Sequence, residues 1–109
     1  MQTSFNESDW KLFRAKLPGW QEAYMERLNQ EYAALLACSG KASEKFWELE
    51  RRINADKQRV GVVARMSRSN MYHNIHGLLA DGVIDLRDLD DFSDELRERM
   101  AFIARESDE

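Results

Sequence analysis

The side chains best suited to chemistry lie between positions 59 and 91. His73 and His76 stand three apart, close enough on one helix face for both imidazoles to reach a single ion. A structural zinc site takes about four ligands. The sole cysteine, Cys38, is remote in sequence, so the two histidines read as solvated side chains. Asp81-Gly82-Val83-Ile84-Asp85, followed by Asp88, has the spacing of the second half of a calcium-binding loop. The first two ligand positions would then be Gly77 and Leu79, which offer no side-chain oxygen to a cation that takes roughly 6–8 of them. Cys38 follows Leu35-Leu36-Ala37 at a predicted helix C-terminus, where the dipole opposes a thiolate, and it reads as a packing residue. There is no glycine-rich phosphate loop and no Gly-x-Ser-x-Gly elbow. The carboxylates Asp88, Asp90, Asp91, Asp94 and Glu95 read as helix caps and solvated faces. No catalytic residue, cofactor or metal is expected, and the chain is not expected to be an enzyme.

Charge is distributed more tellingly than the net of −4 suggests. Residues 57–80 carry Lys57, Arg59, Arg65 and Arg68 with no carboxylate, whereas residues 81–109 carry 4 basic and 11 acidic side chains. Within the basic window, Met66-Ser67-Arg68-Ser69-Asn70-Met71, continued by Ile75, Leu78 and Gly82-Val83-Ile84, resembles the recognition-helix region of winged-helix repressors of the multiple-antibiotic-resistance type. The resemblance implies that Ser67, Arg68, Ser69, Asn70, Tyr72 and His73 face a major groove, with Arg59 and Arg65 neutralising phosphate. The same residues also suit a serine-capped amphipathic helix, and the acidic stretch Asp85–Asp91 beyond them would be repelled by a duplex. The basic window is then expected to be covered by the acidic last third.

Helices must position all of these groups. One proline and five glycines are too few for a turn-rich β-fold. Ser8 is expected to cap a short helix bearing Trp10, Phe13 and Leu17, with Pro18 opening the next. That second helix, about 18–38, carries Trp20, Tyr24, Leu28, Tyr32 and Leu35 on one side and stops near Gly40. A third is capped by Ser43 and buries Phe46, Leu49 and Ile53. A fourth spans about 69–81, ending at Gly82, with Met71, Ile75, Leu78 and Leu79 inward. A short helix over 85–91 and a last one capped by Ser93, running to about Arg105, complete the chain. The expectation is an all-α, compact single domain over 1–109, with four main helices, two shorter ones, and frayed ends at 1–7 and 106–109. A chain of 12.8 kDa folded in that way exposes roughly 6,300 Å².

Some apolar side chains fall outside these stripes. Trp47, Phe102 and Leu12 each sit off the main face of their helix and are candidates for a partner surface, since aromatic residues anchor interfaces. No apolar run approaches the ~20 residues of a membrane span. The opening residues, Met1–Glu7, do not read as a secretory leader, and one cysteine suits a reducing, cytoplasmic setting. The whole chain is also similar to small all-helical bacterial proteins that share Met-Ser-Arg-Ser-Asn-Met and Asp-Phe-Ser-Asp-Glu-Leu, here at 66–71 and 91–96; that likeness implies a fold and an origin but no activity. The function expected is therefore binding to a protein partner or to a second copy, with DNA binding through residues 67–73 as the alternative.

Overall fold

Asn6 stands in extended backbone and accepts the amide hydrogens of Ser8 and Asp9 on its side chain, which starts the longest element, α1 (Glu7–Ala37). The structure is a computed structural model and describes residues 6–107. Asn6, not Ser8, is thus the cap, and the two helices expected on either side of Pro18 are one. Trp10, Phe13, Leu17, Trp20, Tyr24 and Leu28 keep one helical register through the proline, and all are buried or half-buried. Pro18 itself lies on the exposed face. Its ring crowds the Arg14 carbonyl and leaves that carbonyl without its helical donor, a cost of about 3 kcal/mol relative to alanine. Burial of six large side chains on the opposite face outweighs that cost. Pro18→Ala is accordingly expected to stabilise the protein by about 2 kcal/mol, after allowing for the freer unfolded chain. A thermal melt reads this directly, and an unchanged or lower Tm would mean that the helix does not run through position 18.

α2 (Ala42–Asp56) returns antiparallel to the second half of α1. Residues 57–67 then form turns and an irregular strap, followed by a 3-10 turn (Arg68–Asn70) and α3 (Met71–Ala80). Gly82, at φ +74°, closes α3: its N–H donates to Leu79 O (3.1 Å) and that of Val83 to Leu78 O (2.9 Å), the paired bonds of a left-handed helix stop. Asp85 caps a second 3-10 turn (Leu86–Leu89) reciprocally with Asp88. Ser93 caps α4 (Asp94–Ser107), accepting the Leu96 amide at 3.2 Å. Residues 1–5 and 108–109 lie outside the described residues. Asn6 is the cap and Glu7 the first residue of α1, and α4 runs through Glu106 and Ser107; the rest of the ends expected to fray lies outside the described residues.

The core joins the first half of α1 to α3, α4 and the segment between them. Phe13, Met71, Ile75, Leu78, Leu89, Leu96 and Met100 are sealed from solvent, and no residue of α2 belongs to this cluster. The α1–α2 hairpin projects from it. Chain dimensions of 59 × 29 × 21 Å and a radius of gyration of 16.7 Å, against about 13 Å for a compact chain of this length, correct the expected compactness. The all-helical expectation holds among the described residues: they contain no strand, and no helix is long and apolar enough to cross a membrane.

Candidate interaction surface

α2 is amphipathic by sequence, but its polar side faces α1 and its apolar side faces solvent. The positions withdrawn from solvent are Lys45, Glu48, Leu49, Arg52 and Asp56, one stripe at helical spacing. Tyr32 donates its hydroxyl to Asp56 Oδ2 at 2.6 Å, and Arg52 pairs with Glu31 at 2.7 Å while stacking on the Tyr32 ring. Lys45 Nζ donates to the carbonyls of Leu36 (3.0 Å) and Cys38 (2.6 Å), satisfying orphan acceptors at the end of α1. Asp56 also meets Arg59, which reaches on to Asp81 at 3.0 Å and so ties the hairpin to the end of α3.

The stripe expected to be buried, Phe46, Leu49 and Ile53, is therefore mostly outside. Phe46 is 61% exposed and Ile53 40%, with only Leu49 half-buried. Trp47, predicted to be a surface anchor, is 60% exposed and meets Phe46 edge-on, their ring centroids 4.8 Å apart. Phe46, Trp47, Leu49, Glu50, Ile53 and Asn54 line one shallow groove. Each large apolar side chain left in water forgoes about 1.5–3 kcal/mol of burial. Ser43 is not the cap of α2; Lys41 holds that place without a side-chain bond, and Ser43 lies within the first turn.

Tyr32 shows what holds the hairpin shut. Burial, and then its hydrogen bond to Asp56, push its hydroxyl up from 10 to about 12. An acid whose pKa rises on folding contributes stability that is intact below the unfolded value and fades as pH climbs through the folded one. The hairpin is thus expected to be unaffected below pH 10 and to weaken between pH 10 and about 12. Tyrosinate absorbance followed alongside far-ultraviolet circular dichroism tests this, and Tyr32→Phe removes that part of the alkaline loss. Helix signal that falls below pH 10, or falls identically in the variant, would discount the Tyr32–Asp56 bond.

The other sequence candidates fall elsewhere. Leu12 is half-buried against the core and lines a groove with Asp9, Asp91 and Ser93. Lys45 sets the level of α2 against Leu36, and Leu36 lies 24 residues beyond Leu12 on α1, roughly 36 Å along the axis. Leu12 and Trp47 therefore do not share a surface. Phe102 is 56% exposed on α4. Cys38, expected to pack, is exposed.

In the basic window, Arg59 is held by Asp56 and Asp81, and Arg68 is held by Glu7 at 2.8 Å while lying over the Trp10 ring. The hydrogen bond from Arg68 draws the Glu7 carboxyl below its ordinary range. The carboxylates covering this window thus come from Glu7, Asp56 and Asp81 rather than from the body of the acidic last third. Arg65, Ser69 and His73 are exposed; Ser67 and Asn70 are half-buried in the 3-10 approach to α3. Tyr72 is half-buried beneath Arg99, whose guanidinium lies 4.9 Å from the ring centre. Residues 59–65, which would form the helix preceding a recognition helix, are turns and irregular chain. Among the described residues no group of three or more His, Cys, Asp or Glu side chains is placed to share a metal ion. Asp81 and Asp85, the would-be calcium ligands, instead pair with Arg59 and with Arg87.

Besides Asp56, two more buried polar residues tie segments together. Asn74 donates to the Arg65 carbonyl at 2.9 Å and pins the strap to α3. Asp9 reaches Ser93 across 84 positions. Neither carries a local signal, because its partner is distant along the chain. In comparisons with known proteins, no family model, curated protein or solved structure matches the chain.

Proposed function

We propose that the protein is a binding module that docks a protein partner on the outer face of its α1–α2 hairpin, with Phe46, Trp47 and Ile53 as apolar anchors and Glu50 and Arg51 as a charged rim. One observation carries this reading: α2 spends its polar stripe on α1 and presents its apolar stripe to water. A helix whose only task was to complete the monomer would gain more by turning the other way. Exposed aromatic side chains on a rigid helix lose little conformational entropy on docking, which suits them to anchor an interface.

The experiment is site-specific photo-crosslinking in cells. A benzophenone side chain at position 47 is expected to give a discrete protein adduct, and one at the exposed Glu22 of α1 is expected to give none. No adduct from position 47, or equal adducts from both positions, would remove the proposal.

A further inference from the structure

We infer that the partner presents an arginine side chain to this face, received in the corner between Phe46 and Trp47 with its guanidinium against the Glu50 carboxylate. The inference rests on the reading of the hairpin as a docking surface and adds the chemistry of what docks.

The corner follows from helical spacing. Phe46 and Trp47 are adjacent in sequence, so their side chains leave α2 about 100° apart, and Glu50 follows one turn later at an angle between them. Side chains of a helix lean toward its N-terminus, which brings the Glu50 carboxylate back over the two rings. The rings stand at 87° to each other, with centroids 4.8 Å apart, and form two walls. Leu49 and Ile53 line the same groove, and among the described residues Glu50 is its one ionic side chain.

Glu50 has no cation of its own. No ion pair among the described residues includes it. The positions three and four away on either side are Phe46, Trp47, Ile53 and Asn54, none of them basic. Arg51, one turn from Trp47, is turned instead to Glu48, and Arg52 to Glu31. In water an exposed carboxylate is well solvated. Closed under a docked partner it loses that hydration, and only a positive charge on the partner offsets the loss.

Trp47 points to the same ligand. Each tyrosine of the chain has an arginine guanidinium against its ring: Arg27 on Tyr24, Arg52 on Tyr32 and Arg99 on Tyr72. Trp10 is covered by Arg68, and Trp20 stacks on Phe92. Indole is the ring that attracts a cation best, and among the described residues none lies over that of Trp47. Arginine suits this corner better than lysine. Its plane lies flat on an indole while its fork meets both carboxylate oxygens, and its stem covers apolar surface such as Leu49 and Ile53.

The test is selection of peptides from a random-sequence display library on the intact chain, with circular dichroism confirming that each variant is folded. The expected binders share an arginine beside apolar residues and bind the Trp47→Ala chain at least about 30-fold more weakly. Glu50→Gln should weaken them about 10-fold. Glu22→Gln, which removes an equal charge from an exposed position of α1, should leave their affinity unchanged. Lysine in place of the peptide's arginine should lose about 5-fold. Selection on Glu50→Arg should favour an acidic residue at that place in the peptide. Binders that depend on Trp47 but share no arginine, or that are indifferent to Glu50→Gln, overturn the inference and leave the docking surface standing. If no binder depends on Trp47, both readings fall.

Discussion

Phe13→Ala is expected to destabilise the monomer by about 3–5 kcal/mol, the range for removing a large aromatic side chain from a packed interior. Phe13 has no exposed surface and sits between Trp10 and Trp20, with ring centroids 6.3 and 6.4 Å away, while Trp20 stacks in turn on Phe92. These rings bind the first half of α1 to the segment that leads into α4. The cavity left by the substitution cannot close without moving a helix, so little of the lost packing is recovered. Against a total stability of about 5–15 kcal/mol, the loss should bring the urea midpoint down by a large fraction. Trp47→Ala supplies the comparison. It should alter stability by no more than about 0.5 kcal/mol, although a larger side chain is removed. Similar losses from the two substitutions would mean that Trp47 serves the fold, and the hairpin face would no longer be a docking surface.

The helices themselves were legible in the sequence, because their signals are local. Apolar spacing located α3 and the inward residues of α1, Gly82 marked the end of α3, and Ser93 the start of α4. Pro18 misled for a physical reason. Proline opposes helix locally, whereas the stripe from Trp10 to Leu28 holds one face across it, and tertiary burial prevails over propensity when the proline points to water. For α2 the periodicity is written in the sequence and the direction is not. A moment shows that a helix has two faces; which one meets the rest of the chain depends on what the neighbouring helix offers. Here that neighbour offers the Tyr32 hydroxyl, the Glu31 carboxylate and the free carbonyls of Leu36 and Cys38, and these select the polar stripe. Trp47 was legible as a surface residue because it lies off the stripe. Phe46 and Ile53 were not, because the stripe itself faces outward.

The irregular strap shows a further limit of local reading. A glycine at 61 opposes helix locally, yet the reason for it lies elsewhere in the fold. A methyl group at that position would come within 2.4 Å of the Tyr24 ring and 2.7 Å of Val83. The strap crosses directly beneath α1 at the root of the hairpin, where Gln21 also donates to the Val60 carbonyl at 3.0 Å. The projecting hairpin is therefore clamped at its base.

Asp9→Ala should cost about 3 kcal/mol, a large effect for a side chain with no place in any apolar stripe. Asp9 is 3% exposed, and its carboxylate accepts from the Ser93 amide at 2.9 Å and the Ser93 hydroxyl at 2.6 Å. It lies in the first turn of α1, next to the residue that caps α4, so two helix N-termini direct their positive ends at one negative charge. Alanine removes that charge and leaves the half-buried Ser93 donors without their acceptor. Asp9→Asn keeps the shape and one acceptor but loses the charge, so a smaller loss of about 1–2 kcal/mol is expected. The site of the damage should be as informative as its size. Hydrogen exchange should quicken first in the opening turns of α1 and α4, while α2, which has no contact with this pair, keeps its protection relative to the global transition. Uniform loss of protection, or an alanine variant as stable as the parent, would show that the carboxylate does not join the two helices.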